Sequence, residues 1–104
     1  MSRKQYKIQT LAIYESDLNE AVKYIKDVLM NRTAAEKLLC DIEQAIRDRS
    51  FSPHMVKPYP TKHKRKHIYY AIYVRNFIVF YVVIDNVMEI RRLIYKKRDI
   101  DNVL

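Results

Sequence analysis

The chain has 104 residues, one cysteine, no glycine and a formal net charge of +8. That length holds one domain, residues 1–104, with a core that needs no disulfide; no apolar run reaches membrane-spanning length, and the basic N-terminus has no apolar stretch behind it to make a secretory signal. The lone Cys40 fits a reducing cytoplasm, and the charge favours a polyanionic partner: nucleic acid, a ribosome or an acidic protein.

Residues 6–12 alternate well enough for a first strand. Leu18, Ala21, Val22, Ile25, Val28 and Leu29 then recur at helical spacing and predict one apolar face. Ser16 is the expected N-cap, with Asp17 and Glu20 in the first turn. Asn31-Arg32 breaks that pattern, and Thr33 with Glu36 reads as a capping box. A second stripe follows at Ala35, Leu38, Leu39, Ile42, Ala45 and Ile46. Two amphipathic helices joined so closely predict an antiparallel hairpin. Cys40 lies beside the second stripe and reads as partly buried and inert.

Residues 50–65 form a loop, because Pro53, Pro58 and Pro60 forbid regular pairing. The loop runs into the basic stretch Lys62, His63, Lys64, Arg65, Lys66 and His67. That stretch either grips an anion or is a solvated segment whose like charges repel. His63 and His67 have no Cys or acid beside them, so neither a metal nor another cofactor is expected.

Residues 68–74, 77–84 and 87–95 are rich in β-branched and aromatic side chains and are split by Arg75-Asn76 and Asp85-Asn86. They predict an antiparallel meander. Without glycine the asparagines are the natural positive-φ residues, and a bulge could shift the register. Strict alternation puts Tyr70, Ile72, Val74, Val79, Tyr81, Met88, Ile90, Arg92 and Ile94 on the face that packs against the helices. Arg92 would then need an acid such as Asp41 or Glu43. The opposite face would carry Tyr69, Tyr73, Ile78, Phe80, Glu89, Arg91, Leu93 and Tyr95. It is too apolar to be simply solvated, so it marks a protein-binding surface through Tyr69, Tyr73, Phe80 and Leu93. The other reading is that a loop or a second copy covers it. The fold class is therefore α+β, with an antiparallel sheet on a two-helix antiparallel hairpin in the order β-α-α-β-β-β.

That order, together with Asp17-Leu18, Tyr24-Ile25, the segment 31–38, Pro53, the run 73–81 and the ending 89–99, resembles the RelE/ParE superfamily of bacterial toxins. The resemblance spans nearly the whole chain. It implies the toxin of a type II toxin–antitoxin pair, neutralised by a cognate antitoxin. RelE-like members cut mRNA on the ribosome and look to basic residues at the positions matching Ala71, Tyr73 and Ile78, which are uncharged here. The ParE-like arm acts on DNA gyrase without known catalytic residues and is similar to this chain in the ending 92–99. An arginine common in the second strand is Tyr70 here, and a hairpin glycine is Asn76.

The preferred expectation is a non-enzymatic toxin that binds gyrase through Arg91, Lys96, Lys97 and Arg98. The alternative is a ribosome-dependent endoribonuclease using Arg91, Tyr95, Lys96, Lys97 and Arg98, since an Arg fork and a phenol can hold phosphate and base. A third reading is an inactive binding module with the toxin fold. A plain Glu89–Arg91 pair is the structural alternative for Arg91.

Overall fold

The computed structural model describes residues 4–62 and 64–104, so His63 of the basic stretch and residues 1–3 lie outside it. Strand β1 (Lys7–Thr10) leads into helix α1 (Ala12–Lys23), a π-helical turn (Tyr24–Val28) and helix α2 (Arg32–Arg49). After the proline loop come β2 (Tyr70–Val74), β3 (Phe77–Ile84), β4 (Val87–Tyr95) and a short C-terminal helix, α3 (Ile100–Val103). The sheet order is β1-β4-β3-β2. The meander is antiparallel as expected, but β1 joins β4 in parallel, so the sheet is mixed. The hairpin pairs are where the sequence places them. Positive φ falls on Arg75 and Asp85, the first residue of each pair, instead of on the asparagines.

Both helices start earlier than their capping signals suggest. The Leu11 amide donates to the Ile90 carbonyl, and the Leu11 carbonyl accepts from the Glu15 amide. The β1–β4 ladder thus runs straight into α1, which needs no Ser16 cap; Leu11 holds the cap position without a side-chain bond. In α2 the Asn31 side chain accepts from the Ala34 amide at 3.0 Å, so Asn31 replaces Thr33 as the cap. Ala35, Leu38, Ile42 and Ile46 are buried along α2, whereas Leu39 is only half-buried and Cys40 is exposed.

The first stripe is cut short. Leu18, Ala21 and Ile25 pack on the core, but Val28 is 63% and Leu29 56% exposed. The cause is the π turn: the Leu29 amide reaches back five residues to the Tyr24 carbonyl. One extra residue per turn rotates the following side chains off the core-facing stripe. Met30 closes the turn with φ of 52°.

A bulge in β4 corrects the expected sorting of the sheet. Phe80 pairs with Arg92 but Tyr81 with Ile90, so Arg91 has no partner across the ladder. Beyond the bulge every side chain changes face. Leu93 joins Tyr14, Leu38, Ile42, Val79, Tyr81 and Ile90 in the core under the helices. Ile94 moves to the outer face with Tyr69, Ile78, Phe80 and Val82. That outer face is covered from within the chain: Tyr59 of the proline loop and Ile100, Val103 and Leu104 at the C-terminus pack on it. Phe80 is 0% exposed there.

Candidate binding surfaces around strand β4

The bulge sets two arginines side by side and gives each an acid. Arg91 donates from Nε to Glu89 Oε2 at 3.0 Å and from Nη1 to the Tyr69 hydroxyl at 3.4 Å. Burial pulls the Arg91 pKa down, but the bonds to Tyr69 and Glu89 leave it raised overall. Arg92 donates from Nε and Nη2 to the two carboxylate oxygens of Asp17 at 2.8 and 3.2 Å. Donation to Asp17 is the main reason its pKa is raised. Asp17 Oδ2 also accepts from the Leu93 amide at 3.1 Å. Strand β1 pairs with β4 only as far as Ile90, so that amide lies on an uncovered strand edge. Arg92 finally donates to the Val103 carbonyl and so holds α3 against the sheet. The expected partners of Arg92 are thereby corrected: Asp41 instead binds Arg75, at 2.6 Å.

On the helix side, a groove of about 650 Å³ opens between α1 with its π turn and the ends of β3 and β4. Ala21, Tyr24, Ile25 and Leu29 form one wall, and Phe77, Leu93 and Tyr95 the other. Asp17 and Glu20 stand at the helix wall and Arg98 at the sheet wall. The Tyr95 ring leans on Phe77, with centroids 5.7 Å apart. Val28, Leu29 and Met30 extend the apolar surface into solvent. Such a groove suits an apolar segment with charges at its margins.

The structure brings few of the sequence-predicted site residues together. Arg91 and Tyr95 do not share a face: Arg91 pairs with Glu89 and Tyr69 on the outer side, while Tyr95 lines the groove. Of the expected protein-binding set, Tyr69 and Phe80 are buried on the outer face, Leu93 is buried under the helices, and only Tyr73, 66% exposed, is free. The surface is not open because the proline loop and α3 occupy it. Among the positions matched to RelE-like catalytic residues, Ile78 is buried and Ala71 half-buried. In the basic stretch, the Lys62 amide donates to Asp101 Oδ1 at 2.9 Å and Arg65 to the Asp101 carbonyl at 2.9 Å. Lys62, Lys64 and Lys66 are exposed and Arg65 and His67 half-buried. Lys96, Lys97 and Arg98 form an exposed turn after β4, with the Lys96 amide bonded to the Asn76 carbonyl.

Sequence reasoning missed Asp17 as the partner of Arg92, the groove and α3. The adjacent Arg91-Arg92 pair in an alternating strand was a signal for the bulge, since one of two neighbouring guanidinium groups must otherwise point into the core.

No family model matches the sequence, and no curated protein matches it. Solved structures do. The chromosomal ParDE TA system from P. aeruginosa superposes with a TM-score of 0.71 at 14% identity, over 86% of this chain and 94% of that one. The E. coli DinJ-YafQ toxin–antitoxin complex gives a TM-score of 0.53 at 18% identity, over 86% and 91% of the two chains. The chain therefore has the α+β fold of RelE/ParE-like toxins.

Proposed function

We propose that this chain is the toxin of a type II toxin–antitoxin pair, that its cognate antitoxin seats an apolar segment in the helix-side groove, and that it inhibits an essential target, DNA gyrase, by binding. The observation that carries the toxin reading is an apolar groove left without a cover on a fold whose solved neighbours are toxin–antitoxin systems. The groove replaces the outer sheet face as the antitoxin site, because the chain covers that face itself.

Binding is preferred to RNA cleavage on geometric grounds. In-line attack by a 2′-hydroxyl needs a proton acceptor and cationic groups converging on one phosphate. Arg91 and Arg92 are each committed to a carboxylate, and Tyr95 faces away from Arg91 into the groove. The free cations Lys96 and Lys97 sit on a turn, where a large target can be met by charge and shape alone.

Induction of the chain in cells, with and without co-expression of any reading frame that adjoins its gene, tests the reading. Growth arrest with a DNA-damage response, relieved by the neighbouring product, is the expected result. Arrest with codon-specific mRNA cuts and no damage response would move the assignment to a ribosome-dependent endoribonuclease. No arrest at all would leave a binding module with the toxin fold.

A further inference from the structure

The charge of this protein is divided unevenly between its two halves. Residues 1–49 carry nine Lys and Arg against eight Asp and Glu, whereas residues 50–104 carry eleven against four. The first half holds β1, α1 and α2; the second supplies the meander and the cover of the outer sheet face. Two segments whose contacts span 36 and 39 residues of sequence meet on that cover. The bonds from Lys62 and Arg65 to Asp101 place the basic loop beside α3, and α3 follows directly on the 96–98 turn.

The cations there are free. Lys62, Lys64, Lys66, Lys96 and Lys97 are exposed, whereas Arg98 is turned to the helix-side groove. None of them forms an ion pair among the described residues, whose three pairs are Arg75–Asp41, Arg91–Glu89 and Arg92–Asp17. The nearby acids already accept hydrogen bonds from within the chain. Asp101 accepts from the Lys62 amide, Asp99 from the Asn102 side chain, and Glu89 from Arg91.

We propose that this outer face binds the phosphate backbone of double-stranded DNA without reading its sequence. The inference goes beyond the toxin reading and does not depend on it. Unpaired lysines are mobile point charges that gain by releasing the counterions condensed on a duplex. Sequence reading would need an element that enters a groove, and the helix on this face, α3, has four residues. A single strand would need a row of stacking rings. Tyr59 is instead packed edge-on against Phe80 at 4.9 Å, and Tyr69 is buried beside Arg91, leaving Tyr73 alone. Duplex RNA carries the same phosphate charge and differs in its 2′-hydroxyls, so it is the competitor against which the DNA assignment is tested.

The test is a salt titration of binding to a random-sequence DNA duplex, read by fluorescence anisotropy between about 50 and 200 mM salt. Two triple variants remove the same charge: Lys64, Lys66 and Lys97 to Ala on the outer face, and Lys23, Lys26 and Lys37 to Ala on the helices. The outer-face variant should bind at least about tenfold more weakly, with a log–log salt slope shallower by about 0.9 for each lost phosphate contact. The helix variant should stay within about twofold of the parent protein. Equal losses in both variants would mean diffuse attraction and overturn the proposal. So would tighter binding to single-stranded DNA or to duplex RNA, or no duplex binding by the folded parent at the lowest salt. Circular dichroism of each variant separates lost binding from lost fold.

Discussion

Asp17 joins helix α1 to strand β4 through a single side chain. One carboxylate holds the Arg92 guanidinium in a two-pronged pair and satisfies the Leu93 amide beyond the end of β1. Its Ala variant leaves a half-buried cation and a strand-edge donor unpaired, which should cost about 1.5–3 kcal/mol in urea unfolding. Replacing Arg92 by Met in the same background should recover part of that loss; a fully additive double variant would deny the coupling. Tyr14 makes a second prediction. Burial, reinforced by Glu43 and Glu15, pushes its phenol up to about 12 from 10.0. The folded state thus favours the neutral form. Its contribution is complete below pH 10 and is lost as pH rises toward 12, on the order of 1–2 kcal/mol after solvent screening. Unfolding followed from pH 9 to 11.5 should show the parent losing stability faster than Tyr14→Phe. Parallel curves would contradict the shift. Tyr81 shows the opposite use of a buried phenol. Its hydroxyl donates to the Pro53 carbonyl and accepts from Arg49, which also bonds the Ala71 carbonyl, so α2, the proline loop and β2 are tied at one point. Burial raises its pKa and Arg49 partly offsets that.

Two elements depart from regular periodicity, and the groove depends on both. The π turn throws Val28 and Leu29 outward, and the β4 bulge brings Leu93 and Tyr95 to the helix side, where they line the groove with Leu29. Without the π turn those apolar side chains would stay on the helix's core-facing stripe; without the bulge the opposite wall would carry Arg92 and Ile94. Leu29→Asp should therefore weaken antitoxin binding by at least about 2 kcal/mol by burying an unpaired charge, with the melting temperature nearly unchanged because the site is exposed. Phe80→Asp should instead unfold the protein, since Phe80 is enclosed between the sheet and its cover. A folded Phe80→Asp variant with lost antitoxin affinity would return the binding site to the outer sheet face.

At the scale of the whole molecule, the sheet separates a helix side of nearly balanced charge, which holds the apolar groove, from a cationic outer side. An antitoxin in the groove and a target on the Lys96-Lys97 turn can then be weakened independently. Lys96→Ala with Lys97→Ala should lower toxicity on induction while the antitoxin complex keeps its affinity in calorimetry. Arg98 is left out of that variant because it lines the groove. Tyr95→Phe keeps the ring contact with Phe77 and should leave toxicity within about twofold, whereas a nuclease that used the phenol would lose most of its rate. Loss of toxicity in Tyr95→Phe, together with the disappearance of mRNA cuts, decides for the endoribonuclease.

The sequence by itself determined the element order from β1 to β4, the places of the two hairpin turns and the core of α2. These follow from short-range rules: period 3.6 at Ala35, Leu38, Ile42 and Ile46, runs of β-branched residues, and polar pairs between them. It also carried the resemblance to the RelE/ParE superfamily, because that rests on the order of local motifs. Only the tertiary structure decided which side chains share a surface. Face assignment has period 2, so the single unpaired residue Arg91 reverses every assignment after it, and one wide turn at Tyr24–Val28 does the same for the helix. Helix starts moved for a related reason: a ladder bond from Leu11 to Ile90, 79 residues away, outweighs a local capping signal at Ser16. The cover of the outer face was equally beyond local reading. Residues 100–104 have too few side chains to announce a helix, and they hold their place through Arg65 and Arg92, partners that only the folded chain brings near.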